Sequence, residues 1–133
     1  MALGTYLQKK SKELLKQVKK MPLDFKREFV RAFFDDEGCM DFRSSGRKRV
    51  RGYQKDIRVL KIIRGLLSNF GITARIALPN EVVIVGKENL IRFEREINFS
   101  PGVFINGNRT NSRWKKHLEK RVLLRMAIES FKN

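Results

Sequence analysis

The chain holds a single cysteine, Cys39, and a single histidine, His117, among its 133 residues. One cysteine cannot form an intramolecular disulfide, and no Cys/His cluster with zinc-ligand spacing exists. Cys39 reads as a small buried hydrophobe on a strand, and His117, alone among lysines, as a residue without a chemical role. Long apolar runs are missing too. No run approaches the roughly twenty residues of a membrane span. Residues 9–20 are lysine-rich where a signal peptide would be apolar, so a soluble, cytoplasmic protein with no membrane partner is expected. Acids are also scarce, with 14 Asp+Glu against 30 Lys+Arg, a formal net charge of +16 and a pI near 10.6. That imbalance points to a polyanionic partner, nucleic acid before anionic membrane. Aromatics at 10% and an apolar share of 41% exclude a disordered basic tail and leave one folded basic domain.

The stretch that carries most information is Phe25 to Gly38. At roughly 100° per residue, Phe25, Phe29, Ala32 and Phe33 form one helical stripe, which Val30 and Phe34 widen to an apolar arc of roughly 200°. One partner surface cannot cover such an arc, so the helix must bury two sides. Asp35, Asp36 and Glu37 stand at its C-terminal end, where the macrodipole is already negative and Lys or Arg would stabilise. Gly38 is expected as the left-handed residue that ends the helix. Acids at a rigid helix end suit a hard divalent cation with oxygen ligands, most plausibly magnesium. Pairing of those acids with Arg31 or Arg43 would be the plainer explanation.

Upstream, residues 5–20 form an amphipathic helix, with Thr5 as N-cap, Leu7, Leu14, Leu15 and Val18 on one face, and Lys9, Lys10, Lys12, Lys16, Lys19 and Lys20 on the other. The lysine face is either solvated or set against phosphates. Downstream of Gly38 the period falls toward two. Met40–Arg43 and Arg49–Gln54 form a hairpin around Gly46, with Val50 and Gly52 facing the helices and Asp41, Arg43, Arg49, Arg51 and Tyr53 facing outward. An arginine-rich two-stranded ribbon fits a major groove, where arginine reads guanine in bidentate fashion. A helix from Asp56 stops at Gly71. Ile72–Leu78 and Val82–Val85 form a second hairpin around Pro79-Asn80, with Thr73 and Arg75 outward and the facing of the second strand left open by its continuous apolar run. Helices follow over 87–97 and Trp114–Phe131, the last with Leu118, Val122, Leu123, Met126 and Ile128 as its apolar residues.

The run Val30-Arg31-Ala32-Phe33-Phe34-Asp35-Asp36-Glu37-Gly38 resembles the LAGLIDADG motif of homing endonucleases, and the element order resembles that fold. The resemblance implies an α+β class: a LAGLIDADG homing-endonuclease-like αββαββα saddle with an extra N-terminal helix, residues 1–23 being a basic extension and 24–133 the DNA-binding and nuclease domain. It implies Glu37 as the metal-binding acid, with Mg2+ or Mn2+ as cofactor, Gln54 at the strand end as a second catalytic residue, and Lys116 as the lysine near the scissile phosphate. Lys115, Arg109 and Arg113 would contact DNA with Thr73, Arg75 and the first hairpin. Two positions depart from the motif: Arg31 replaces a small residue, and Asp36 replaces the small residue between the acids.

Only one acidic motif occurs, so a homodimer is expected, joined through Phe25, Phe29, Ala32 and Phe33. The implied activity is site-specific cutting of double-stranded DNA at a long pseudo-palindromic site by an intron-encoded enzyme associated with the nucleoid through its DNA. The alternatives are a DNA-binding regulator that has lost cleavage and an RNA-binding intron maturase.

Overall fold

The computed structural model describes residues 11–43, 46–105 and 118–131. Along the chain run α1 (Ser11–Lys19), α2 (Leu23–Glu37), β1 (Gly38–Phe42), β2 (Lys48–Tyr53), α3 (Ile57–Ser68), β3 (Arg75–Ala77), β4 (Glu81–Val85), α4 (Lys87–Glu96) and α5 (Lys120–Glu129). The strands form one antiparallel sheet in the order β1-β2-β4-β3. The helices cover one face of it, which gives a mixed α+β architecture consistent with the LAGLIDADG fold.

Register decides which side chains meet the helices. Met40 pairs with Val50, which pairs with Ile84, and Gly38 pairs with Gly52, which pairs with Val82. Met40, Val50, Val82 and Ile84 are fully buried in the core with Phe33, Phe34 and Phe93. Strand alternation therefore sends Cys39, Asp41, Arg49, Arg51, Tyr53, Arg75, Val83 and Val85 to the opposite face. The apolar run in β4 resolves in the same way, with Val82 and Ile84 inward and Val83 between Arg51 and Arg75 on the open face.

Gly38 is a correction. It is extended, at φ −97° and ψ 162°, and is the first residue of β1 rather than a left-handed cap. Its glycine requirement is spatial, because a Cβ there would lie 2.3 Å from the Phe34 carbonyl oxygen. The helix passes into the strand with no intervening loop. Gly52 has a related reason, since its Cβ would lie 2.5 Å from the Phe33 ring. Phe33 and Phe34 pack edge to face at 5.1 Å, and Phe34 does the same with Phe93.

Other expectations shift in extent. The helix beginning after Asp56 ends at Ser68, with Gly71 two residues beyond its C-cap in a left-handed turn at φ +74°. Asp56 caps that helix by accepting from the Arg58 N–H at 2.9 Å. The strand expected over 72–78 is confined to Arg75–Ala77. The last helix does not run through Leu118 and Glu119. Glu119 bridges to Phe104, Ile105 N–H donates to Leu118 O at 2.9 Å, and α5 begins at Lys120. On α5, Leu123 and Ile128 are buried and Met126 packs against the core, as the sequence pattern requires, but Val122 is exposed and Leu124 is buried in its stead. Among the described residues no helix is long and apolar enough to cross a membrane.

Candidate active site

Helix α2 presents three different surfaces to its surroundings. Val30, Phe33 and Phe34 are fully buried. Phe33 therefore has no surface to offer a partner subunit, and its expected place in a dimer interface is corrected. Phe25 is 47% exposed, Ala32 is exposed, and Phe29 is partly buried against the core. These three and Asp36 follow one another at four-, three- and four-residue spacing, so they lie in one line along the helix. The third surface is arginine: Arg27 Nε donates to Glu96 O at 2.8 Å and Arg31 Nε to Ile97 O at 2.7 Å. Both guanidinium groups satisfy carbonyls at the C-terminal end of α4, which helix geometry leaves without partners. Arg31, odd as a motif residue, is thus a cap on a neighbouring helix and points away from the exposed line.

The three acids of the motif do separate things. Asp35 accepts from the Ser100 backbone N–H at 2.9 Å and from its hydroxyl at 2.5 Å, which pins the segment after α4 to the motif helix. Asp36 is exposed at the end of the line with Ala32. Glu37 is the last helical residue and is half-buried; burial first, and then Asp36 beside it, push its carboxyl above the ordinary value, while Lys120 pulls the other way. Arg31 pairs with Glu28, and Arg43 lies beside Asp41.

Lys120 is the residue at this junction that sequence reasoning did not single out. It is only 8% exposed, and its Nζ donates to Gly38 O at 2.6 Å. Burial lowers the pKa of its ammonium, while Cys39, Asp35, Asp36 and Glu37 work to raise it. The signal available in the sequence was its place as the first residue of an apolar helix, where a lysine opposes the macrodipole and gains nothing locally. Lys116, Lys115, Arg109 and Arg113 lie outside the described residues.

Gln54 follows β2 at the sheet end where Gly38 pairs with Gly52. It is 5% exposed; its N–H donates to Asn80 O at 3.0 Å and its Oε1 accepts from the Asp56 N–H at 3.3 Å. It therefore fixes the start of α3 beside the two hairpins.

On the open face of the sheet, Asp41 is 3% exposed beneath three guanidinium groups. Arg49 Nε donates to Asp41 Oδ2 at 2.8 Å, Arg51 Nη2 donates to Oδ1 at 3.1 Å, and Arg43 Nη2 lies 3.5 Å from Oδ2. Arg51 Nη1 also donates to the Tyr53 hydroxyl at 2.8 Å and to Glu81 Oε2 at 3.3 Å. Although burial opposes its charge, Asp41 first and its other neighbours hold the Arg51 pKa still higher than usual. Asp41 was expected to touch DNA, and burial corrects this: it orients the arginines that cover it. Buried Arg43 Nε has no hydrogen-bond partner among the described residues. Arg75 is exposed on the same face, one strand beyond Val83. Thr73 is exposed but precedes β3, with its N–H donating to Asn89 Oδ1 at 3.0 Å. Cys39 is partly buried on this face rather than inward, its Sγ 3.7 Å from Asp41 Oδ1, and burial and Asp41 push its thiol pKa up.

An acid-ended helix runs straight into an antiparallel sheet whose open side carries an arginine face, an α+β arrangement consistent with the LAGLIDADG fold. A LAGLIDADG-like domain matches residues 24–98, more than half of the chain, and the chain belongs to the LAGLIDADG family, which comprises homing endonucleases and maturase-like proteins. The matched span ends before α5, so Lys120 lies beyond it. No curated protein and no solved structure matches the chain.

Members of this family bind DNA and sometimes RNA, and its nucleases generally use divalent metals. The fit of the donor set can be judged from the chain itself. No group of three or more His, Cys, Asp or Glu side chains suited to a metal occurs among the described residues. Glu37 with Asp36 nevertheless meets the minimum that a magnesium ion asks of a protein, one or two carboxylates in addition to substrate phosphates.

Proposed function

We propose that the chain is a homodimeric, site-specific DNA endonuclease of the homing type. The observation that carries this reading is the juxtaposition on α2 of Glu37 at the junction with β1 and an exposed line of Phe25, Phe29, Ala32 and Asp36. The described residues of one chain supply too few ligands for a closed metal site, and the line along α2 is where a second copy would bring its own Glu37 to the same axis. Two like charges so close disfavour each other unless a cation lies between them.

A hard cation such as Mg2+ or Mn2+, when bound, would supply positive charge to the phosphate being cut. Glu37 would hold it, with Asp36 adding negative charge nearby. Lys120, fixed through Gly38 O, keeps a second positive charge at the same junction. Gln54 holds the sheet end in place from behind. Arg43, Arg49, Arg51, Tyr53 and Arg75 form the surface that receives the duplex; the guanidinium groups offer bidentate contacts to guanine edges and charge to phosphates.

The direct test is cutting of a randomised DNA library with magnesium or manganese, wild type against Glu37→Gln. Cleavage by the wild type alone supports the reading. Specific binding without nicking by either protein would instead favour a DNA-binding regulator, for which the charge that Asp36 places on the helix line is the supporting observation. Arg31, the other departure from the motif, adds nothing to that alternative, because its side chain is committed to α4.

A further inference from the structure

The helical layer has a basic feature of its own, separated from the arginine face of the sheet by the core. Helices α1, α2 and α3 enclose a cleft of about 310 Å³ lined by Lys19, Lys26, Lys61, Ile62, Gly65, Leu66 and Asn69. Among the described residues no carboxylate lines it. Lys26 Nζ donates to Asn69 Oδ1 at 3.0 Å, a neutral partner that orients the ammonium without compensating its charge. Three cations from three helices thus converge on one opening, an arrangement that opposes folding through like-charge repulsion.

Gly65 is the independent clue. It lies inside α3, where glycine costs about 1 kcal/mol relative to alanine. Gly38 and Gly52 have internal reasons to be glycine, but a Cβ on Gly65 would meet no described atom within 4 Å. Among the described residues nothing takes up the space of the missing side chain. Its absence bares the helix surface between Lys61 and Asn69 on the cleft wall, with Ile62 and Leu66 as an apolar floor. An anion approaching there finds ammonium groups and no steric block.

We infer that this cleft seats a backbone phosphate of a nucleic-acid strand, so that the protein grips nucleic acid on its helical layer as well as on its sheet. Lys16 on α1 and Lys20 in the turn just after it are both exposed, so the positive charge continues past the cleft as a track for successive phosphates. A free phosphate compound would need only the cleft. The inference stands independently of the nuclease reading, because neither Glu37 nor the sheet face takes part in it.

The test pairs two variants that alter the cleft in different ways. Lys19→Gln/Lys61→Gln removes charge, whereas Gly65→Leu fills the space and leaves the charge intact. All three positions are exposed, and leucine is a strong helix former, so folding should be retained. Binding of a short DNA duplex and of a short single-stranded RNA is followed by fluorescence anisotropy over a salt series, and inorganic phosphate is titrated while the amide NMR signals of Gly65 and Leu66 are watched. For at least one nucleic acid, each variant should bind several-fold more weakly, with the slope of log affinity against log salt reduced by about 0.7–0.9 for each phosphate that is no longer neutralised. The double variant should also melt no lower than wild type, since it relieves repulsion. Wild-type slopes in both variants overturn the proposal. So does weakening by the charge variant alone, which would mean diffuse electrostatics rather than a seat. Phosphate-induced shifts without any change in oligonucleotide binding would assign the cleft to a free phosphate compound and overturn the nucleic-acid assignment.

Discussion

Asp41→Asn tests how the arginines on the open face of the sheet are held. Asp41 is 3% exposed and is shared by Arg43, Arg49 and Arg51, whose side chains are 25%, 16% and 13% exposed. Removing one partner of a fully buried ion pair costs about 3–5 kcal/mol. The arginines here retain some water, which screens their mutual repulsion once the carboxylate is gone, so the expected loss is smaller, about 2–3 kcal/mol. For a domain of this size that lowers Tm by about 10 °C. Two consequences follow on the functional side. Net charge rises by one, so non-specific duplex binding at low salt should hold or strengthen. The guanidinium groups lose their common anchor, so discrimination between a preferred site and random sequence should shrink. Differential scanning calorimetry gives the first quantity and competition binding gives the second. An Asn variant that melts with the wild type and discriminates equally well would show that the arginines are positioned by the backbone alone, and the anchoring role of Asp41 would be wrong.

Other predictions are more local. Ala32→Leu and Phe25→Glu alter exposed positions, so each should leave the monomer folded while shifting the sedimentation of the protein, and of its DNA complex, from dimer to monomer; unchanged sedimentation would remove the exposed line as an interface. Gly38→Ala drives a methyl against the Phe34 carbonyl, which no rotamer change can relieve, and should cost about 2–4 kcal/mol in denaturant titration. Asp56→Ala loses the cap of α3 and should cost about 1 kcal/mol. The Asp56 carboxyl is held below its ordinary 3.8, chiefly by the Arg58 side-chain hydrogen bond. The folded state therefore binds that proton less well than the unfolded chain, and its stabilisation, complete above 3.8, fades as pH falls through the lower folded value. Asp56→Asn should keep the cap and flatten that acid limb of the stability profile.

What could be read from the chain before folding was mainly periodic. The apolar spacing on α2 and α3, the alternation in β1 and β2 and the glycine-terminated acid run are local patterns, and they were enough for the element order and the sheet. The errors share a different origin. Phe33 and Phe25 belong to one apolar arc, and only the position of Gly52, which admits the Phe33 ring, decides which of the two is buried. Asp41 alternates outward as the pattern requires, yet outward is not exposed once three long side chains fold over it. In β4 the continuous apolar run Val82–Val85 has no period to read, and its facing comes from pairing with β2. Each of these outcomes depends on a partner distant in sequence, which no window along the chain contains.

Lys120 shows the same dependence at the site itself. The end of α2 carries three acids against the negative end of its own dipole, and the start of α5 carries a buried lysine against the positive end of its own. Either choice alone weakens its helix. Brought together, the two faults offset one another: the lysine faces a helix C-terminus bearing acids, and its Nζ bonds the carbonyl of the residue that follows them. The compensation is incomplete, since burial still disfavours both the charged ammonium and the Glu37 carboxylate. A fold selected for stability alone would place apolar groups at this junction. Opposite charges held under a desolvation penalty are what a site needs if it is to act on a phosphate, which is the role that the proposed nuclease reading would give to Glu37 and Lys120.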